Sequence, residues 1–391
     1  MAVYKLFPLQ DASIYAFYPF MNTGIDPIIE VGNLNVNINP VPQVFRYLIE
    51  FDQDQINNII QNTVGNGIPF SSTLKAYVAN AQGVIFDTEM EIYPISGSWS
   101  NGSGTYLDQP FTTNGVSWKA QNFSGSAASG AKYWDIDIPA LATFVTASFS
   151  GSGTSGGGTW FTGSTDTNNP NIYVSQSFKL RSDKDLNVDV SDIVNVWYSS
   201  SNNIGSFTNI QNNGFIVKWE DTIEFNTSDA IQPIMQFYSI DTNTIYPPVL
   251  EIKWDDSSFV TGSLPALSTA DIFVALDNNP GVFYSESINR FRLNCRPDYP
   301  VRTFQTSSID TVNHYLPNGS LWAIKDLDTN EFIVQFDSNY TKISCDSVGN
   351  YFDVYMTGLQ PERYYKILIQ TTISGSTLVK DDNYYFKIVN G

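Results

Sequence analysis

The chain has 391 residues, enough for two or three domains with separate cores. Its 20 Lys and Arg against 39 Asp and Glu give a formal charge of −19, which argues against wrapping of nucleic acid or attraction to anionic lipid, since both need clustered cations. Charged residues make up only 15%, so the solvated surface must lean on Asn, Ser, Thr and Gly, a composition common on extracellular and virion β-proteins.

The N-terminus, Met-Ala-Val-Tyr-Lys-Leu-Phe-Pro, lacks the apolar run of a signal peptide, and no stretch of about 18 apolar residues offers a membrane span. Residues 6–18 mix apolar and polar positions, Asn22-Thr-Gly24 and Asp26-Pro27 punctuate, and a strand resumes at 28–31. Over 45–51, Phe45, Tyr47, Ile49 and Phe51 alternate onto one strand face. Asp52 with Gln55 reads as a capping box that opens a short helix with Ile56, Ile59 and Ile60 inward. Short strands are expected at 74–78, 84–86 and 89–93.

From about 96 to 165 the sequence is loop-rich, with Gly/Ser segments at 97–104 and 151–158. The second reads as an internal loop rather than a linker, because strand patterns at 134–138, 172–178, 186–190, 215–219, 232–238 and 249–254 continue the same sandwich. Among them, Val190, Ile193, Val194 and Trp197 fall at i, i+3, i+4 and i+7, predicting a helix laid apolar side down on the sheet and capped by Asp189. Residues 256–290 read as a connecting segment. Beyond it, strands at 291–295, 321–325, 332–336, 342–345, 351–356, 365–371 and 384–389 come at sandwich spacing, with 326–331 a hairpin connection. The fold class is all-β: two β-sandwiches in series, 1–255 and 291–391.

Three groups of residues carry a resemblance. Asp11-Ala-Ser-Ile14, Asn22-Thr-Gly24, Val31-Gly32 and Arg46-Tyr-Leu-Ile-Glu-Phe-Asp52 form the first. Gly97-Ser-Trp99 and Gly115-Val-Ser-Trp118 form the second, and the Asp189 to Trp197 helix with Asn212-Asn-Gly-Phe-Ile216 the third. In order and spacing they resemble the DNRLRE-type β-sandwich modules of secreted and cell-surface proteins, which implies a carbohydrate-binding-like jelly roll with short helices over 1–255. Read physically, Arg46 opens an inner strand and can pair with a carboxylate near Asp52, while Trp99, Trp118 and Trp197 are large enough to plug the ends of a sandwich. Long glycine-rich insertions and the missing signal peptide depart from that family, and unsecreted chains of this kind resemble virion proteins of tailed phages.

Leu359-Gln-Pro361-Glu-Arg-Tyr-Tyr365 is similar to the tyrosine corner of fibronectin type III and immunoglobulin-like domains. The resemblance implies such a domain over 291–391. The tail from Pro361 to the Asp381-Asp-Asn-Tyr-Tyr-Phe run is also similar to tails on structural proteins of contractile-tailed phages, particularly those of marine cyanobacteria.

Chemistry is sparse. The single histidine, His314, leaves little for a nucleophilic triad, and the two cysteines, Cys295 and Cys345, lie too far apart in sequence for a zinc knuckle and read as either a bridge or buried thiols. Asp183-Lys-Asp185-Leu-Asn187-Val-Asp189 begins like a calcium loop, but Val188 stands where glycine is needed and Val194 where glutamate is needed. No catalytic, cofactor or metal residues are assigned, with a structural calcium elsewhere left open. Loop aromatics Trp160 and Tyr106 are the candidates for glycan or partner contact. The expectation is a non-enzymatic structural protein of a tailed bacteriophage particle (tail, neck, baseplate or head surface) whose partners are other virion proteins, without nucleic acid or membrane. The alternative is a carbohydrate-binding adhesin, or a host-receptor-binding fibre component, that contacts host surface polysaccharide.

Overall fold

The structure, a computed structural model, describes residues 2–34, 43–123, 132–134, 145–147, 156–161, 172–204, 210–224, 226, 231–277, 279–300 and 312–390. The fold is all-β, 45% strand against 9% helix, with several antiparallel sheets. The chain opens with β1 (Ala2–Leu6), β2 (Gln10–Tyr15), β3 (Ile28–Asn33), β4 (Val44–Glu50) and helix α1 (Gln53–Asn58), which runs into a π-helical turn at Ile59–Gly65. Next come β5 (Phe70–Ala76), β6 (Val78–Gln82), β7 (Thr88–Pro94), β8 (Ala120–Asn122), β9 (Lys132–Tyr133), β10 (Val145–Ala147) and β11 (Thr159–Phe161). They are followed by β12 (Val174–Phe178), β13 (Leu186–Asp189), α2 (Ser191–Ser201), β14 (Phe215–Trp219), α3 (Asp221–Glu224), β15 (Ile234–Tyr238) and β16 (Val249–Trp254). The last stretch holds β17 (Ile272–Asp277), β18 (Val282–Tyr284), β19 (Ile288–Pro297), β20 (Leu321–Asp326), β21 (Phe332–Val334), β22 (Ser344–Cys345), β23 (Asn350–Tyr355), β24 (Tyr364–Ile373) and β25 (Ser376–Val389).

Two compact bodies result: Leu6–Thr63 with Ser71–Glu251, and Ile252–Gly391 with Met1–Lys5 and Val64–Phe70. In the first, an eight-stranded sheet runs β12-β7-β14-β4-β3-β15-β6, with β2 also paired to β4. Strand β4 is buried along almost its whole length, so both of its faces must be covered, and period-two alternation divides the work. Val44 and Leu48 face a layer made by Trp99, Trp118, Trp134 and Trp160. On the other side Tyr47 meets Phe237 at 5.8 Å, and Phe51 meets Phe215 at 6.4 Å. Phe215 in turn lies 4.6 Å from Trp197 on α2. Trp99, Trp118, Trp134 and Trp160 therefore pack together against one face of β4, and Trp197 packs against Phe215.

Both expected helices form, with one shift. Asp52 caps α1, its carboxylate accepting the Asp54 N–H at 2.9 Å, and Ile56, Ile59 and Ile60 are buried. In α2 the capping position is Val190 rather than Asp189. Asp189 closes β13, and its Oδ1 accepts the Ser191 N–H at 2.9 Å, an Asx turn that delivers the chain into the helix. Segment 84–86 forms no strand; 78–82 does. Of the expected strand at 134–138, only Trp134 lies within the described residues.

The second body pairs a β17-β19-β23-β22 sheet with a β18-β25-β24-β20-β21 sheet around a core that includes Phe291, Trp322, Phe352, Tyr365 and Phe386. Phe352 stacks on Phe291 at 5.5 Å and on Trp322 at 5.1 Å. Two boundaries need correction. The stretch 256–290 is no connector, because β17 runs antiparallel to β19 and places Ile272 and Val274 in this core. The chain's first residues also belong here: Val3 joins the same core, and Lys5 Nζ donates to the Ile333 carbonyl at 2.9 Å. Short-range pattern could not reveal either assignment, since both depend on partners far away in sequence. Cys295 and Cys345 are free and buried, and burial pushes the Cys295 thiol up to about 12.

Candidate functional site

The residue groups quoted from the sequence converge in the first body. Asn22 is a hub: its Nδ2 donates to the carbonyls of Asn101 (2.6 Å) and Val116 (2.8 Å), and its Oδ1 accepts the Gly104 N–H at 2.8 Å. Trp99 Nε1 donates to the Asn213 carbonyl at 2.9 Å. Glycine is required where the segments touch, since a Cβ on Gly24 would sit 2.1 Å from the Asn101 carbonyl oxygen.

Arg46 anchors this arrangement, but not with a carboxylate near Asp52. Its Nε and Nη2 clamp Glu224 at 2.5 and 2.6 Å, and Nη1 donates to the Gly157 carbonyl at 2.6 Å. Glu224 lies 178 residues away in sequence, which hid the pair. The guanidinium lies 5.1 Å from the Trp118 ring and 5.2 Å from the Trp160 ring. Gly157 makes the approach possible, because a Cβ there would stand 2.7 Å from Trp118. Lys218 extends the cluster, reaching Glu91 and Asp221 at 2.8 Å each. Every charge here faces a counter-charge, as burial demands. Residues 151–155 of the glycine-rich segment lie outside the described residues.

Trp160 was expected at a loop tip. It is 4% exposed, sits on β11 and packs against Arg46 and Tyr93, so it has no ring face to offer a ligand. Tyr106, 39% exposed, is different. It borders a cleft of about 480 Å³ on the eight-stranded sheet, together with Tyr15, Phe17, Asp26, Glu30, Phe45 and Gln236. Tyr15 packs 5.5 Å from Phe17, 5.6 Å from Phe45 in a stacked arrangement and 5.1 Å from Tyr106; Tyr15 and Phe45 are buried and floor the cleft, while the half-buried Phe17 and the exposed Tyr106 form its open aromatic wall. Gly32 leaves room for Phe45, since a Cβ would stand 2.5 Å from that ring.

Two carboxylates complete the lining. Glu30 accepts the Tyr15 hydroxyl at 2.5 Å and the Gln236 amide at 3.0 Å. Asp26 accepts the backbone N–H groups of Ile28 (3.1 Å) and Tyr106 (2.7 Å). Burial, then the charges of Glu30 and Asp26 with the Tyr18 phenol, push the Tyr106 phenol above its ordinary range. Sequence reading found Tyr106 but missed Glu30 and Asp26. The Asp26-Pro27 turn signal was noted only as punctuation, and nothing local marks a strand glutamate as cleft-lining.

In the second body the tyrosine corner is formed. The Tyr365 hydroxyl accepts the Gln360 N–H at 2.7 Å and donates to the Gln360 carbonyl at 3.2 Å, while Leu359 is buried beneath the Pro361 turn. Arg363 clamps Asp326 through Nε (2.6 Å) and Nη2 (2.7 Å), and Asp326 also accepts the Asp328 and Thr329 N–H groups of the hairpin at 2.9 Å each. His314 lies in a loop with Nδ1 3.0 Å from the Val312 carbonyl. Among the described residues, no group of three or more His, Cys, Asp and Glu is placed to hold a metal ion, and no helix is long and apolar enough to cross a membrane.

No protein-family model matches the chain, and no curated protein matches it. Among solved structures, the chain is similar to a DUF4785 family protein from Legionella pneumophila subsp. pneumophila str. Philadelphia 1 at 7% identity and a TM-score of 0.18. The match covers 100% of this chain and 62% of that one, so this chain spans less than two thirds of its neighbour. A likeness of that size says nothing about fold or function.

Proposed function

We propose that the chain is a non-enzymatic structural protein of a tailed bacteriophage particle, a tail, neck, baseplate or head-surface component that docks on other virion proteins. The observation that carries this reading is the outer face of the β18-β25-β24 sheet. Register puts Val282 beside Lys387 and Lys387 beside Tyr364, while Tyr385 lies beside Lys366. Phe386 and Ile388 turn into the core, so Tyr385 and Lys387 turn outward with Val282, Tyr284 and Tyr364, which are exposed. Tyrosine-rich, partly apolar faces framed by lysine aliphatic stems suit protein–protein contact, where tyrosine is enriched and often among the residues that carry the binding energy. Resemblance of the tail segment to phage structural proteins supplies the biological setting. Purified, washed particles should contain the chain at fixed stoichiometry, and Tyr385→Asp should leave the fold intact while blocking incorporation. Absence from washed particles would end the reading.

A second reading, a carbohydrate-binding adhesin or receptor-binding fibre component, is favoured by the Tyr106 cleft, whose aromatic wall, amide and carboxylates are the groups that orient a polyol. Binding to host polysaccharide that weakens on Tyr106→Ala would support it. Trp160→Ala is no test, because that ring belongs to the core. An array of host glycans with no response at millimolar sugar would remove it.

A further inference from the structure

The charge balance of the cleft specifies what enters it. Carboxylates Asp26 and Glu30 both line the cleft, and among the described residues no Lys or Arg lines it. Their hydrogen-bond donors, the Tyr15 hydroxyl, the Gln236 amide and the N–H groups of Ile28 and Tyr106, are all uncharged. Neutral donors orient a carboxylate without cancelling its charge. The Arg46 site of the same body shows the opposite solution, where the guanidinium that lies against Trp118 and Trp160 is supplied by the chain itself.

We infer that the cleft binds an organic ammonium group, whether quaternary or carried on a sugar ring. Aromatic faces attract a cation through the ring quadrupole, and a carboxylate beside them adds a direct Coulomb term strengthened by the low-polarity wall. An anionic ligand such as a uronic acid would meet two like charges. A bare metal ion would gain nothing from Phe17, Tyr106 or Ile234, which line the same space, whereas the methyl or methylene groups around an ammonium nitrogen pack on them. A volume of about 480 Å³ holds one sugar ring or a choline-sized cation with room to spare. The assignment deepens the adhesive reading of the cleft and rests on it only in treating the cleft as a ligand site.

The test is calorimetric or NMR titration of the full chain with choline, glucosamine, N-acetylglucosamine and glucose at about pH 6, where an alkyl amine is protonated. Choline and glucosamine should bind, with glucose and N-acetylglucosamine weaker by about tenfold or more, which corresponds to about 1.4 kcal/mol. Affinity should fall as salt is raised. Glu30→Gln keeps an acceptor for Tyr15 and should lower choline or glucosamine affinity by about tenfold; if that variant fails to fold, Tyr106→Ala, altered at an exposed ring, tests the aromatic wall instead. Equal binding of glucose and glucosamine would overturn the ammonium assignment and leave the saccharide reading standing. Binding of only one cation class identifies the source, a quaternary headgroup or an amino sugar. No binding by any of the four, or binding untouched by folded Glu30→Gln and Tyr106→Ala variants, would overturn the assignment.

Discussion

Two aromatic clusters in the first body use the same ingredients to different ends. Around Arg46, the rings of Trp118 and Trp160 enclose a cation that Glu224 neutralises, and both partners are fully buried. Around Tyr106, the exposed Tyr106 ring and the half-buried Phe17, over the buried Tyr15 and Phe45, border carboxylates with no cation among the described residues, and the cluster opens to solvent at Tyr106. A closed cluster with its charge balanced is scaffold, and an open one with its charge unbalanced is a place for something else. Aromatic content alone does not distinguish them, which is why Trp160 and Tyr106 looked equivalent in the sequence.

The comparison breaks most sharply at Arg46. Arg46→Ala removes both short bonds to the buried Glu224 carboxylate, leaving it only Lys218 at 3.9 Å, and takes a donor from the Gly157 carbonyl, so the first body should lose about 3–5 kcal/mol in urea denaturation. The double variant Arg46→Met with Glu224→Leu should recover most of that loss, because two apolar side chains of similar volume avoid the desolvation that the lone charge suffers. If the single variant costs less than about 1 kcal/mol, the cluster is wetter than its geometry implies and the distinction from the cleft fails.

A second effect sharpens the picture from the charge side. Asp11 is buried, its Oδ2 accepting the Ile240 N–H at 2.7 Å, and burial raises its carboxyl from 3.8 to about 8, with smaller contributions from Asp241 and the cleft residue Asp26. The folded state thus holds a proton that the unfolded chain releases between 3.8 and about 8. This contribution to stability is complete below the lower value and is lost as pH rises through the upper one. Thermal melts should show the first body weakening as pH is raised across that window, by up to a few kcal/mol, and Asp11→Asn should flatten the slope. An unchanged slope would mean that Asp11 is already ionised.

The tyrosine corner gives a milder case in the other body, where an aromatic hydroxyl is spent on the backbone. Tyr365→Phe strands the N–H and carbonyl of Gln360, which that hydroxyl serves from both sides. The expected loss is about 1–3 kcal/mol in chemical denaturation, without change of fold.

Legibility in the sequence followed the range of the interaction. Alternation and turn residues marked β14 and β16 to the residue, and the i, i+3, i+4, i+7 spacing marked α2, because those signals are local. The Leu359-Gln-Pro361 to Tyr365 corner was equally readable, its whole hydrogen-bond circuit lying within six residues. Arg46 was singled out, but its partner Glu224 was invisible because α3 is brought to it only by the pairing of β4 with β14. The same holds for the cleft: Asp26, Glu30, Tyr106 and Gln236 come from separate loops and strands and meet only in three dimensions. The 256–290 stretch lacked dense apolar alternation, and edge strands such as β18, half solvent-facing, leave a weak pattern.

The smallest effect on stability is expected at Tyr106, and there the comparison is tested most cleanly. Its ring is exposed, its backbone N–H, not its side chain, holds Asp26, and Tyr15 keeps its contacts with Phe17 and Phe45 when the Tyr106 ring is removed. Tyr106→Ala should therefore shift stability by no more than about 0.5 kcal/mol, while Trp160→Ala, which opens a cavity beside Arg46, should cost about 3–5 kcal/mol. If both variants destabilise alike, the Tyr106 ring is a structural prop that closes the cleft from inside. If Tyr106→Ala is silent in melts and silent in ligand titration as well, the open cluster is surface without a task, and openness with unbalanced charge would not be enough to mark a binding site in this fold.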